Sequence, residues 1–188
     1  LGLAEKAVED ATRMLERAVE LAPDRVEGWS WLGRAHEAAG NWSKALESYT
    51  AAARLDPADP HLQHQIGVVC SRLGRHDTAI TSLTEAASKL PHDTTVRASL
   101  AGALEAAGWW DRALELRQQM AESSPMDVER QLAWAGAARQ AGELSIAAHA
   151  LRRARQLAPS SLRALLEHGL LQREQGDKVG ALQTLADL

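Results

Sequence analysis

The sequence predicts an all-α protein assembled from a helix–turn–helix unit repeated every 34 residues, and three observations predict it. Prolines stand at Pro23, Pro57, Pro91, Pro125 and Pro159, and glycines at Gly40, Gly74, Gly108, Gly142 and Gly176. Two small-residue series, Gly33, Gly67, Ala101, Ala135, Gly169 and Ala11, Ala45, Ala79, Ala113, Ala147, Ala181, keep the same register without insertion or deletion. The composition agrees: 45% hydrophobic, 4% aromatic and no Phe, a mix that suits close-packed helices better than a sheet. A fixed period of this length marks supersecondary units that bury their apolar faces against their neighbours.

Each element follows from local chemistry. Across residues 26–39, Val26, Trp29, Leu32 and Gly33 recur at three- and four-residue spacing, one face of a helix. Gly40, with Asn41 beside it, supplies a left-handed residue to close that helix. The next stretch continues the pattern through Trp42, Ala45, Leu46, Tyr49, Ala52 and Leu55, and Pro57 stops it. The same frame divides a single array over residues 1–188 into full repeats at 26–59, 60–93, 94–127 and 128–161. Residues 1–25 hold the second helix of a truncated repeat (Ala11, Leu15, Ala18, Pro23), and 162–188 a partial repeat with Gly169, Gly176, Ala181 and Leu185. Gly33 and Ala45 mark the closest approach of two antiparallel helices, with Leu32 and Tyr49 filling the space either side. Trp110 takes the slot that Trp42 takes two repeats earlier, which leaves Trp109 in a turn, folded over its neighbour or exposed as a contact anchor.

Charge and cysteine usage narrow the function classes. A net charge of −4 and a pI near 6.0 do not suit nucleic acid, whose binders carry a basic footprint. Lysine occurs only at Lys6, Lys44, Lys89 and Lys178, and an Ala- and Arg-rich, Lys-poor chain fits a GC-rich bacterial source. Cys70 is the only cysteine, so no internal disulfide or multi-cysteine metal site can form. This suits the cytoplasm and is compatible with the periplasm. No apolar run approaches the roughly 18–20 residues of a membrane span, so direct membrane insertion is not expected.

Trp29, Leu32, Gly33, Gly40, Ala45, Tyr49, Ala52 and Pro57 together resemble, almost residue for residue, the signature of the tetratricopeptide repeat family. The resemblance extends over essentially the whole chain. It implies a right-handed α-solenoid whose first helices line a concave face, and a role in binding other proteins rather than in catalysis. Departures cluster in the third full repeat, where Arg117 stands in a slot usually aromatic or aliphatic and Met120 replaces the usual Ala. The second helix of that repeat is therefore expected to pack loosely or to be slightly rotated. Family members that grip acidic chaperone tails use Lys, Asn and Arg on three neighbouring first helices. Here no first helix carries Lys and the only Asn, Asn41, lies in a turn, so that clamp is absent.

The resemblance turns a defined set of residues inward. They are Trp31 and Arg34 on the first full repeat, then His61, His64, Val68 and Arg72 on the second. Ala98 and Gly102 follow on the third, Leu132, Gly136 and Arg139 on the fourth, and Leu166, Leu170 and Arg173 on the partial repeat. Small side chains at Ala98, Gly102 and Gly136 leave room for a partner peptide, helical or extended. Its apolar anchors would lie against Leu132, Leu166 and Leu170, while Arg72, Arg139 and Arg173 meet its carboxylates. The competing reading is that Gly102 and Gly136 only permit tight helix packing. A mid-helix glycine costs about 1 kcal/mol relative to alanine, so either way it has a reason.

Catalytic and cofactor readings fail in turn. His61 and His64 lie one turn apart, with His36 on the preceding repeat, but no carboxylate joins them at metal-ligand spacing. Cys70 shares the repeat slot of His36, a core position, and reads as buried and inert. The segment from Gly28 to Gly33 is one residue too long for a nucleophile elbow and lies on a helix. No P-loop, dinucleotide fingerprint or zinc-protease motif occurs, so no metal or cofactor is expected. The expected activity is that of a protein-interaction module or scaffold for a protein or peptide partner. Two alternatives stand beside it: a recognition segment of a larger enzyme such as a glycosyltransferase, and a self-assembling or envelope-complex subunit. Neither end carries the polar capping helix that repeat arrays normally have. The expected reason is that the chain is an excerpt of a longer protein; the other reading is end-to-end association between copies.

Overall fold

The structure, a computed structural model, describes residues 2–186; Leu1, Asp187, Leu188 and the side chains of residues 3–5 and 185 lie outside the described residues. The packing expected of Leu185 is among these. The described residues form eleven α-helices and no strand: α1 (Gly2–Leu21), α2 (Val26–Ala38), α3 (Trp42–Leu55), α4 (Pro60–Arg72), α5 (His76–Lys89), α6 (Thr94–Ala106), α7 (Trp110–Ser123), α8 (Val128–Gln140), α9 (Leu144–Leu157), α10 (Leu162–Glu174) and α11 (Lys178–Ala186). They fall into two compact units, Leu1–Ala107 with α1–α6 and Gly108–Leu188 with α7–α11. The division passes between the two helices of the third full repeat.

Short-range chemistry sets both ends of the first helices. At their N-termini, Asp59 accepts from the His61 amide, Asp93 from Thr95 and Val96, Asp127 from Arg130, and Ser161 from Ala164. These caps form one more series at the repeat spacing, each contributing about 1 kcal/mol by satisfying an orphan N–H. At the C-termini, Gly40, Gly74, Gly142 and Gly176 adopt φ of 72°, 71°, 82° and 86°. There the Gly40 N–H donates to the Glu37 carbonyl at 2.9 Å and the Asn41 N–H to the His36 carbonyl at 2.8 Å. The same pair of bonds recurs at the other three turns. This closure needs a left-handed residue, which is why glycine holds the position.

Within the units α2 packs on α3, α4 on α5, α8 on α9 and α10 on α11. The closest approaches are those the small-residue series predict. A Cβ placed on Gly33 would sit 2.6 Å from the Tyr49 ring, and one on Gly67 would sit 2.5 Å from Leu83 Cγ. Tyr49 and Leu83 are fully buried, as are Ala45, Ala52, Ala79 and Ala86. The Tyr49 hydroxyl donates to Glu37 Oε2 at 2.5 Å, and burial followed by this bond holds its pKa above the ordinary tyrosine value. In the second unit Ala135, Leu132, Leu151 and Ala154 belong to one continuous apolar cluster.

The departure at Arg117 has a structural counterpart. In α5 the buried positions are Ala79, Ile80, Ser82, Leu83 and Ala86, whereas α7 buries Ala113, Leu114, Met120 and Ala121. A guanidinium cannot enter the dry slot of Leu83 without losing its hydration. The buried stripe of α7 keeps the register at Ala113, Leu114 and Met120, leaves Leu116 and Arg117 half-buried in the middle turn, and adds Ala121.

Candidate protein-interaction surface

In the first unit the candidate face is carried by α2, α4 and α6. Trp31 is 56% exposed, and the Arg34 guanidinium lies 5.0 Å from its ring centroid. An indole so exposed, with a cation already on one face, offers its other face to an apolar or aromatic group. His61 is exposed on the same helix as half-buried His64 and Val68. His64 Nε2 lies 3.0 Å from Ser99 Oγ, which fastens α4 to α6. Ala98 and Gly102 on α6 are partly exposed, and a Cβ built on Gly102 meets nothing within 4 Å. Arg72 is exposed and lays its guanidinium 5.7 Å from the Trp42 ring.

In the second unit the face belongs to α8 and α10. Gly136 matches Gly102: partly exposed, with nothing within 4 Å of an added Cβ. No neighbour within 4 Å requires glycine at either position. Leu166 is 42% exposed, Leu170 is half-buried and Arg173 is exposed. Two expectations are corrected. Leu132 is 1% exposed and lies in the core cluster, so it is a packing residue and not a groove anchor. Arg139 is satisfied within the unit: its Nε reaches Glu167 at 3.3 Å and its Nη1 reaches Glu174 at 2.7 Å, with its side chain only 12% exposed. A guanidinium held by two carboxylates has little charge left for a partner's.

The ion pairs were not read from the sequence. Arg139 links α8 to α10 through Glu167 and Glu174, and Arg163 pairs with Glu129 across the same two helices. A signal was present: Glu129 and Arg163 are separated by one repeat, the spacing that stacks like positions side by side. Trp109 is 43% exposed with the Arg112 guanidinium 5.0 Å from its ring. It lines a cleft with Trp110, Gln140 and Ala141, beside the α8–α9 turn.

The histidines give the fold a pH dependence. Burial is the first cause lowering the pKa of His36, His64 and His168 below 6.5. Below 6.5 the unfolded chain therefore binds protons that the folded chain refuses, and stability falls as pH falls from that value toward the folded pKa values. Melting followed by circular dichroism should give a lower Tm at pH 5.5 than at 7.5. His64→Gln, which keeps a partner for Ser99, should narrow the gap. An identical Tm at both pH values would refute the linkage.

Helix–turn–helix repeats in a 34-residue register, closed by left-handed glycines and packed through Gly33 and Gly67, define a helical-repeat protein. The family models agree: the chain belongs to the tetratricopeptide repeat family, matching at residues 6–60, 132–188 and 60–88. Among solved structures it is similar to MamA (residues 41 to the end) from Desulfovibrio magneticus RS-1, with a TM-score of 0.78 at 17% identity, covering 86% of this chain and 92% of that one. It is also similar to YrrB, described as a TPR protein with an unusual peptide-binding site, with a TM-score of 0.75 at 17% identity, covering 94% and 91%. A third likeness is to PilW, a type IV pilus biogenesis factor, with a TM-score of 0.78 at 18% identity, covering 97% and 85%. At these identities the likeness establishes the fold.

Proposed function

We propose that the chain is a protein-interaction module whose first-helix faces bind a partner protein or peptide. One observation carries the reading: Gly102 and Gly136 sit mid-helix on those faces, unfavourable for the helix and not required by any neighbour within 4 Å. Open space over α6, on the unit that also exposes Trp31, and over α8, on the unit that also exposes Leu166, suits the side chains of a docked segment on each unit by itself. The peptide-binding site named for YrrB supports the same use of the fold. Arg34 and Arg72 on the first unit, each beside an indole, and Arg173 on the second are exposed cations for a partner's carboxylates, in place of Arg139.

Two substitutions test this at each glycine. Gly102→Ala and Gly136→Ala should each stabilise the chain by about 0.5–1 kcal/mol in urea unfolding, because alanine removes a helix penalty and meets no atom. Gly102→Trp and Gly136→Trp should leave helicity unchanged and abolish capture of the partner by the intact protein. Capture that survives both tryptophans in a folded variant would place the binding elsewhere. A recognition segment of a larger enzyme or an envelope-complex subunit would use the same faces within another assembly, and the sequence flanking the chain separates those cases.

A further inference from the structure

Trp109 is an aromatic residue in a place where nothing local asks for one. The equivalent residues of the other turns are Asn41, Arg75, Glu143 and Asp177, all polar. The backbone at Trp109, φ −87° and ψ 63°, matches Asn41 at −85° and 65° and Glu143 at −84° and 66°. Turn geometry therefore does not call for an indole, and yet one stands there exposed. It borders a cleft of about 370 Å³ with Trp110, Asp111 and Gln140, all within the second unit. Ligand sites span about 300–1,000 Å³, so this volume admits one long side chain and not a globular surface.

The first unit shows what an indole at this place takes. In the repeat register Trp110 corresponds to Trp42, Gln140 to Arg72 and Asp111 to Ser43. In the first unit the chain supplies its own cation, the Arg72 guanidinium over the Trp42 ring. In the second unit neutral Gln140 replaces that cation, and an acid replaces neutral Ser43. Both exchanges act in one direction: a positive charge is lost and a negative charge is gained. Among the described residues no cation lies over the Trp110 ring, and no ion pair engages the exposed Asp111 carboxylate. Arg112 is engaged with Trp109, 5.0 Å from its ring centroid, and not with Trp110.

We propose that the cleft is a binding site for an arginine side chain of a partner protein, stacked on Trp110 with Asp111 as its counter-charge. A guanidinium suits the cleft better than an ammonium, because its plane stacks on an indole while its N–H groups reach a carboxylate. The site uses the N-terminus of α7 and the turn after α8, so its test is separate from that of Gly102 and Gly136.

The test is titration of the full chain with Nα-acetyl-arginine amide, followed by NMR through the indole N–H signals, which Trp109→Phe and Trp110→Phe assign. The expected result is a saturable shift of the Trp109 and Trp110 signals that Nα-acetyl-glutamate amide does not produce. Asp111→Asn should weaken binding about two- to fivefold, the worth of an exposed ion pair. Arg112→Gln removes a like charge and should tighten it. Gln140→Arg rebuilds the pairing of Arg72 with Trp42 and should abolish the shift with helicity unchanged. No saturable shift with the arginine amide, a stronger response to the glutamate amide, loss of binding in Arg112→Gln, or a shift undiminished in Gln140→Arg would each overturn the proposal.

Discussion

Tyr49→Ala is expected to destabilise the chain by about 3–5 kcal/mol, the range for truncating a buried aromatic ring. Tyr49 is 0% exposed, its ring fills the gap over Gly33, and its hydroxyl is the hydrogen-bond donor to Glu37. The reciprocal change, Gly33→Leu, should cost about 1–3 kcal/mol by overpacking, because even a methyl there would lie 2.6 Å from the ring. The two effects share one volume, so they should not add. In the Tyr49→Ala background the leucine enters the vacated space and should cost less, or stabilise. Urea unfolding of the two single variants and the double variant checks this. Strict additivity would mean that ring and glycine do not occupy the same gap.

Leu132→Ala carries the second largest expected effect, a loss of about 2–5 kcal/mol from a core cavity. Leu166→Ala, at a 42% exposed position, should change stability by no more than about 0.5 kcal/mol. Both leucines sit on first helices of the second unit, and both qualify by repeat position as groove residues. The contrast therefore tests core against surface rather than side-chain type. If Leu132→Ala proved neutral in unfolding and instead weakened partner capture, the assignment of Leu132 to the cluster with Leu151 and Ala154 would be wrong.

The two leucines also show where sequence reasoning reaches its limit. Register assigns each residue a place within its hairpin, and at Gly33, Gly67, Ala45 and Tyr49 that place decides burial. Leu132 and Gly136 lie one turn apart on the same helix, yet one is sealed and the other open. The difference depends on how α8 sits against α9 and α10. The charges behaved the same way. Arg139 and Arg173 occupy equivalent positions, and nothing in their spacing distinguishes a guanidinium gripped by Glu167 and Glu174 from one left exposed.

Glycines and capping residues are legible because their reasons are local. A left-handed turn admits Gly40 and its equivalents whatever lies beyond it, and an Asp at Asp59, Asp93 or Asp127 caps the amides next to it in the chain. The sequence by itself therefore determined the repeat, the helix boundaries and the packing positions between paired helices. Tertiary structure alone decided which small residues were free and which arginines were already paired. Those outcomes depend on distances between helices, and a linear period places residues on faces without stating what stands opposite them.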